Sequence, residues 1–240
     1  MIFDPVMWAL AKKNASTSGS GGNTDFEDAV VTRKLSGAYT NNRVDNVGNY
    51  AFGYTEVSSV SFPAAKSVGY GSFYFCEKLK TANFPLVETV GDRAFSDCSL
   101  LEELNLPMVT DTGTYAFGFC TSLKEIKFQK SVYLDEYAFV NCESLKKVDF
   151  AKVSVTKNFA FAGCCALDTI IVRDTEAVFE LNTFAFRDTP ILEGRGFFYM
   201  PSSMYETYRA VYEAALEDSM GPGAFDMIMR KIEDYPEICG

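Results

Sequence analysis

The stretch Gly91–Pro107 reads GDRAFSDCSLLEELNLP. It sets Cys98 beside Asp97 and near Arg93, which raises the question of a reactive thiol. The rest of the chain answers it, because the stretch recurs. GYGSFYFCEKLKTANFP starts at Gly69, GTYAFGFCTSLKEIKF at Gly113, DEYAFVNCESLKKVDF at Asp135 and KNFAFAGCCALDTIIV at Lys157. Phe73, Phe95, Phe117, Phe139 and Phe161 form one series. Cys76, Cys98, Cys120, Cys142 and Cys164 form a second, and Leu79, Leu101, Leu123, Leu145 and Leu167 a third. Each series steps by 22 residues, and the three run in phase.

Two imperfect copies flank these five: Ala51-Phe52 with Thr55 at the cysteine place, and Ala185-Phe186 with Thr189 there. Phe186 follows Phe161 by 25 residues, an insertion of three. Atypical end units are what stacked repeats require. Each unit closes on an alternation such as Leu101-x-x-Leu104-x-Leu106. Alternate residues of a strand point inward, and one coil cannot cover its own apolar face, so coils must stack. This predicts an α/β-type repeat solenoid, mostly β: a right-handed leucine-rich-repeat solenoid of about seven coils.

The recurring V/T-G-x-x-A-F-x-x-C-x-x-L, followed by a strand and often by proline, resembles the BspA-like leucine-rich repeat over Val47–Pro201. Ser72 for alanine, Leu100 in an otherwise polar slot and the two cysteine-less end units depart from it. That family occurs in bacterial surface antigens and adhesins, so the resemblance implies recognition rather than catalysis.

Composition narrows the function classes. Lys+Arg number 22 against Asp+Glu 32, a net charge of −10, which disfavours nucleic acid and anionic membrane surfaces. No apolar run approaches the roughly 20 residues that span a bilayer. There is no histidine, so Ser-His-Asp and Cys-His nucleophile pairs and His-ligated metal sites are closed. The paired carboxylates Glu102-Glu103 and Asp92/Asp97 fall on separate turns and form no convergent acid–base pair. No catalytic, metal or cofactor site is expected.

Domain organisation reads as 1–13, a short N-terminal helix or docking segment; 14–24, a Gly/Ser-rich linker; 25–201, the solenoid; and 202–240, a helical cap. Asp4 and Pro5 give Asp4–Lys13 a helix start, and the apolar residues of the segment 1–13 make Ile2, Phe3, Trp8 and Leu10 candidate contacts to a larger assembly. The opening lacks a basic n-region and does not read as a secretory signal. In the cap, Ser203–Glu206 reads as a capping box. Ala224–Tyr235 reads as a second helix, with Phe225, Ile228, Met229 and Ile232 on one face.

A ladder of thiols along an axis cannot converge on a metal, and Cys164-Cys165 has the wrong spacing for chelation or a redox pair. The expected role is a small buried residue at a tight bend. The phenylalanine ladder is expected to be core. A second aromatic series precedes each Ala-Phe: Tyr50, Tyr115, Tyr137, Phe159 and Phe184, interrupted by Gly71 and Arg93. Exposed, it could stack on sugar rings or meet a protein. Outward strand positions include Thr81, Asn83, Glu103, Asn105, Glu125, Lys127, Lys147 and Asp149. Tyr115, Tyr137, Phe159, Phe184 and the last six of these are the candidate partner-binding residues. The function expected is a non-enzymatic recognition or adhesion module for a protein or glycan. The alternative is a phage tail-associated or other assembly component docked through its N-terminal segment.

Overall fold

A computed structural model of the chain describes residues 35–176 and 182–239. The expected N-terminal helix, the linker and the docking residues Ile2, Phe3, Trp8 and Leu10 lie outside these. Strands follow in the order β1 (Ser36–Thr40), β2 (Asn46–Val47), β3 (Glu56–Ser61), β4 (Ser67–Val68), β5 (Thr81–Asn83), β6 (Thr89–Val90), β7 (Glu103–Asn105) and β8 (Asp111–Thr112). They continue as β9 (Glu125–Leu134), β10 (Lys147–Thr156), β11 (Thr169–Val172), β12 (Phe197–Met200) and β13 (Met229–Lys231). One sheet runs β1-β3-β5-β7, the other β2-β4-β6-β8-β9-β10-β11-β12-β13, both parallel. The register repeats the sequence period: Thr81 faces Glu103, Thr89 faces Asp111, and Lys147 faces Thr169.

Proline decides where a coil breaks. Pro63, Pro85 and Pro107 follow the strand alternation in the early coils, and there each coil carries two separate strands. Proline has no N–H to give a ladder. The next coil has Gln129 at that stage, whose N–H donates to the Pro107 carbonyl at 2.9 Å, and β9 runs unbroken for 10 residues. Strand β10 does the same through Ala151.

The core is a set of aligned ladders. Phe52, Phe73, Phe95, Phe117, Phe139, Phe161 and Phe186 are buried and stack ring on ring, for example 5.0 Å and 11° between Phe73 and Phe95. Phe62 and Phe84 stack beside them at 5.4 Å, and Phe84 meets Phe73 edge-on at 5.7 Å. The backbone follows: the Phe95 N–H donates to the Ala116 carbonyl and the Phe73 N–H to the Ala94 carbonyl, both at 2.7 Å. Where Ser72 replaces alanine, its buried hydroxyl is bonded to the Gly48 and Gly69 carbonyls at 2.8 Å. The solenoid makes about six turns, slightly fewer than the seven expected. Its last unit departs from the common form, entering a 3-10 turn at Thr183–Phe186 after the insertion.

Two left-handed residues turn each coil except the last, which has one. One precedes Ala-Phe: Tyr50, Gly71, Arg93, Tyr115, Tyr137 and Phe159 have φ between 54° and 61°. The other precedes the cysteine or threonine rung: Tyr54, Phe75, Asp97, Phe119, Asn141, Gly163 and Asp188 have φ between 54° and 73°. At Gly71 a Cβ would lie 2.5 Å from the Tyr50 ring, which explains the gap in the aromatic series there.

The C-terminal part differs from expectation in two ways. Helix α1 (Ser202–Met220) starts at Pro201 with no side-chain cap of its own. Glu233 supplies it from 31 residues away, accepting from the Ser202 N–H at 3.0 Å and from its hydroxyl at 2.6 Å. The second helix is short, α2 (Ala224–Ile228), and gives way to β13, which extends the sheet beside β12. An exposed end strand is a pairing hazard unless covered, so extending the ladder satisfies backbone groups that a longer helix would leave open. A 3-10 turn (Ile232–Asp234) and α3 (Pro236–Cys239) follow.

Candidate functional site

The ladder cysteines are free and buried. Each thiol donates to a phenylalanine carbonyl of the preceding coil: Cys76 to Phe52, Cys98 to Phe73, Cys120 to Phe95, Cys142 to Phe117 and Cys164 to Phe139, at 3.0–3.1 Å. In the end units Thr55 and Thr189 donate instead to Phe52 and Phe186 of their own coil. Burial pushes the thiols up, Cys76 to about 12 and Cys98 well above the ordinary range. A protonated thiol in an apolar bend is a poor nucleophile. These rungs hold coils together.

The outward strand face is different. A groove of about 1010 Å³ crosses it, lined by Glu103, Asn105, Glu125, Lys127, Lys147 and Asp149 among others. The parallel register builds it, because each outward residue stands beside its counterpart in the next coil. Asn105 donates its amide to Asn83 at 2.7 Å, and Asn83 donates to Ser61 at 3.1 Å. Lys124 pairs with Glu102 at 2.9 Å, which lowers the Glu102 carboxyl through that hydrogen bond and charge.

Asn105, Lys127, Lys147 and Asp149 among the expected contact residues are engaged within the molecule, Asp149 most fully. Asp149 is buried, not exposed. Arg173 clamps it with two hydrogen bonds, Nε at 2.8 Å and Nη2 at 2.9 Å, and the Lys127 ammonium stands 3.5 Å away. A carboxylate can be withdrawn from water when a guanidinium fork satisfies both oxygens. Lys147 is half-buried and donates to the Ile238 carbonyl at 2.7 Å.

The aromatic series forms a stripe on the turn side of the coils. The Arg93 guanidinium sits 5.1 Å over the Tyr115 ring. Tyr115 stacks on Tyr137 at 4.7 Å and 3°, and Tyr137 on Phe159 at 5.2 Å and 10°. Phe184 ends the row, tilted by 54° and 63% exposed. Tyr50 stands apart, buried and edge-on to Tyr70 at 5.2 Å. Both faces of the Tyr137 ring are therefore covered by neighbouring rings. The stripe and the groove lie on different sides of the coil, so the two sets of candidates do not form one site.

Reading outward positions only as far as Asp149 missed the continuation of the face. The next outward residues are Ile171, Phe197 and Tyr199. Ile171 and Tyr199 are buried, with Ile232, Tyr235 and Ile238 packed on them. The signal was present in the sequence: Ile171 and Tyr199 stand at a place held by Thr40, Ser61, Asn83, Asn105, Lys127 and Asp149 in the earlier coils. Beside them a second hollow of about 570 Å³ shares Lys124, Glu125 and Lys147 with the groove and is bounded by Tyr199 and Ile238.

Comparison with known proteins bears on the fold. The chain is similar to a leucine-rich repeat protein from Bacteroides ovatus ATCC 8483, at 25% identity and a TM-score of 0.49. The match covers 68% of this chain, which spans about half (47%) of that one. It is also similar to the T. pallidum Leucine Rich Repeat protein, at 21% identity and a TM-score of 0.51, with 70% of this chain and 77% of that one covered. No curated protein matches. The BspA type leucine rich repeat region matches residues 45–168 in six copies. These are the coils whose phenylalanine and cysteine rungs interlock above, and the chain belongs to the BspA type leucine-rich repeat family.

Proposed function

We propose that the chain is a non-enzymatic recognition module that takes a polypeptide segment along its outward strand face. Leucine-rich repeat families generally act as protein-interaction modules. The observation that carries the reading is the open groove of about 1010 Å³, polar and of mixed charge, running across successive rungs. Groups held on adjacent rigid strands suit an extended chain with its side chains spaced along it. A glycan that binds by stacking needs open ring faces, and the stacking of Tyr115, Tyr137 and Phe159 leaves Phe184 as the exposed ring of the row. Adhesion at a cell surface is the setting the family resemblance suggests. Attachment to a phage tail or other particle through residues 1–13 is the alternative, and it rests on residues outside those described.

The test is selection of a displayed random peptide library on the full chain, in parallel with a glycan array. Enriched peptides with no glycan binding support the reading. Glycan binding without peptide enrichment overturns it.

A further inference from the structure

We infer that the outward strand face is one peptide track whose far rungs are filled in cis by the segment Ile232–Ile238. A partner segment carrying an aromatic and an aliphatic side chain three positions apart exchanges with it. This deepens the peptide-binding reading and rests on it.

The segment shows what the face accepts. Tyr235 meets Tyr199 edge-on at 5.3 Å, and Ile232, Tyr235 and Ile238 pack on Ile171 and Tyr199. Lys147 reaches the segment through a backbone carbonyl, that of Ile238. A carbonyl is common to every peptide, so this contact would serve a foreign segment equally. The apolar cluster is separate from the main core, so uncovering it leaves the phenylalanine ladder intact.

The segment also has little structure of its own. A three-residue 3-10 turn and the four-residue α3 are joined through Tyr235. Such short elements have few internal bonds, and local opening draws on regions of this kind. On its upstream side Glu233 stays bonded to Ser202, so the downstream half can lift while α1 keeps its cap. The seat borders the open groove through Lys124, Glu125 and Lys147, which line both hollows. A partner lying in the groove and extending past Lys147 must meet the segment.

The probe is a fluorescent, end-blocked peptide of the segment's own sequence, KIEDYPEI, titrated against the full chain. We expect it to bind a Tyr235→Ser/Ile238→Ser variant at least tenfold more tightly than the parent. Adding Lys147→Gln should weaken that binding at least threefold, and a peptide with its Tyr and Ile replaced by Ser should not bind. Equal binding to parent and variant, or none to a variant with an unchanged circular dichroism spectrum, overturns the inference. If the variant does not fold, hydrogen exchange on the unmodified chain decides. The Tyr235 and Ile238 amides should exchange at least a hundredfold faster than those of β12, and equal protection contradicts release. Library-selected peptides that still bind while KIEDYPEI fails overturn the exchange alone. Absence of any peptide binding overturns the underlying reading as well.

Discussion

The thiol of Cys98 donates to the carbonyl of Phe73, one coil back, at 3.1 Å. The carbonyl belongs to the same residue whose ring stacks on Phe95. One side chain therefore fills a bend and satisfies a buried acceptor, and the contact repeats along the solenoid. The thiols should be slow to react. In the native protein, labelling of the five ladder cysteines by a neutral thiol reagent should follow the unfolding rate, with only exposed thiols such as Cys165 reacting early. Complete labelling within minutes would contradict this.

The same thiols predict an alkaline loss of stability. Burial raises the Cys76 thiol from its ordinary 9.0 to about 12. The unfolded thiol gives up its proton first, so above pH 9 the native state holds more protons and stability falls as pH rises. The contribution is complete below pH 9 and lost by about 12. Urea unfolding between pH 7 and pH 10.5 should show the decline. Cys76→Thr, which installs the residue of the end units, should reduce the decline by one thiol's share while Cys98, Cys120, Cys142 and Cys164 keep theirs, and an unchanged slope would assign the decline elsewhere.

Truncating a rung of the phenylalanine ladder should be severe. Phe95→Ala removes a fully buried ring stacked on both sides and should cost roughly 3–5 kcal/mol, read from the denaturation midpoint. A cost under about 1 kcal/mol would mean the ladder is not continuous core.

Phe119 offers the opposite case. It holds a left-handed backbone at φ 62° while its side chain is 39% exposed. Asparagine adopts that conformation more readily, and Asn141 occupies the same place in the next coil. Phe119→Asn should stabilise the chain by about 1 kcal/mol. Destabilisation would show that the ring has a packing role.

The Asp149–Arg173 clamp should be coupled. Asp149→Ala should cost about 1–2 kcal/mol, because the guanidinium loses a bidentate partner while water reaches its one-third exposed side chain. A double-mutant cycle with Arg173→Ala should give a coupling of at least about 1 kcal/mol. Additive costs would contradict the pairing.

How far these features were legible depends on the range of the physics. The period, the phenylalanine core and the structural reading of Cys98 are local and repetitive, so the sequence carries them openly. The left-handed positions are hidden because Tyr115, Tyr137 and Phe119, not glycine, occupy them. Glu233 as a helix cap and Arg173 on Asp149 act across 31 and 24 residues, beyond any local pattern. Strand β13 was misread because Phe225, Ile228, Met229 and Ile232 also fit a helical period. Only the coil stacked beside them decides between the two. Within the candidate site, the groove residues Glu103, Asn105, Glu125, Lys127, Lys147 and Asp149 follow from strand alternation. The cover over Ile171 and Tyr199 does not.

The central claim is that recognition lies on the outward strand face and not on the aromatic stripe. The direct measurement is the affinity of a library-selected peptide for two variants of the full chain. Asn105→Arg with Glu125→Lys alters the groove, and Phe184→Ser alters the exposed end of the stripe. The account predicts at least a tenfold loss for the groove variant and an unchanged affinity for the stripe variant. An unchanged groove variant together with a weakened stripe variant would contradict it.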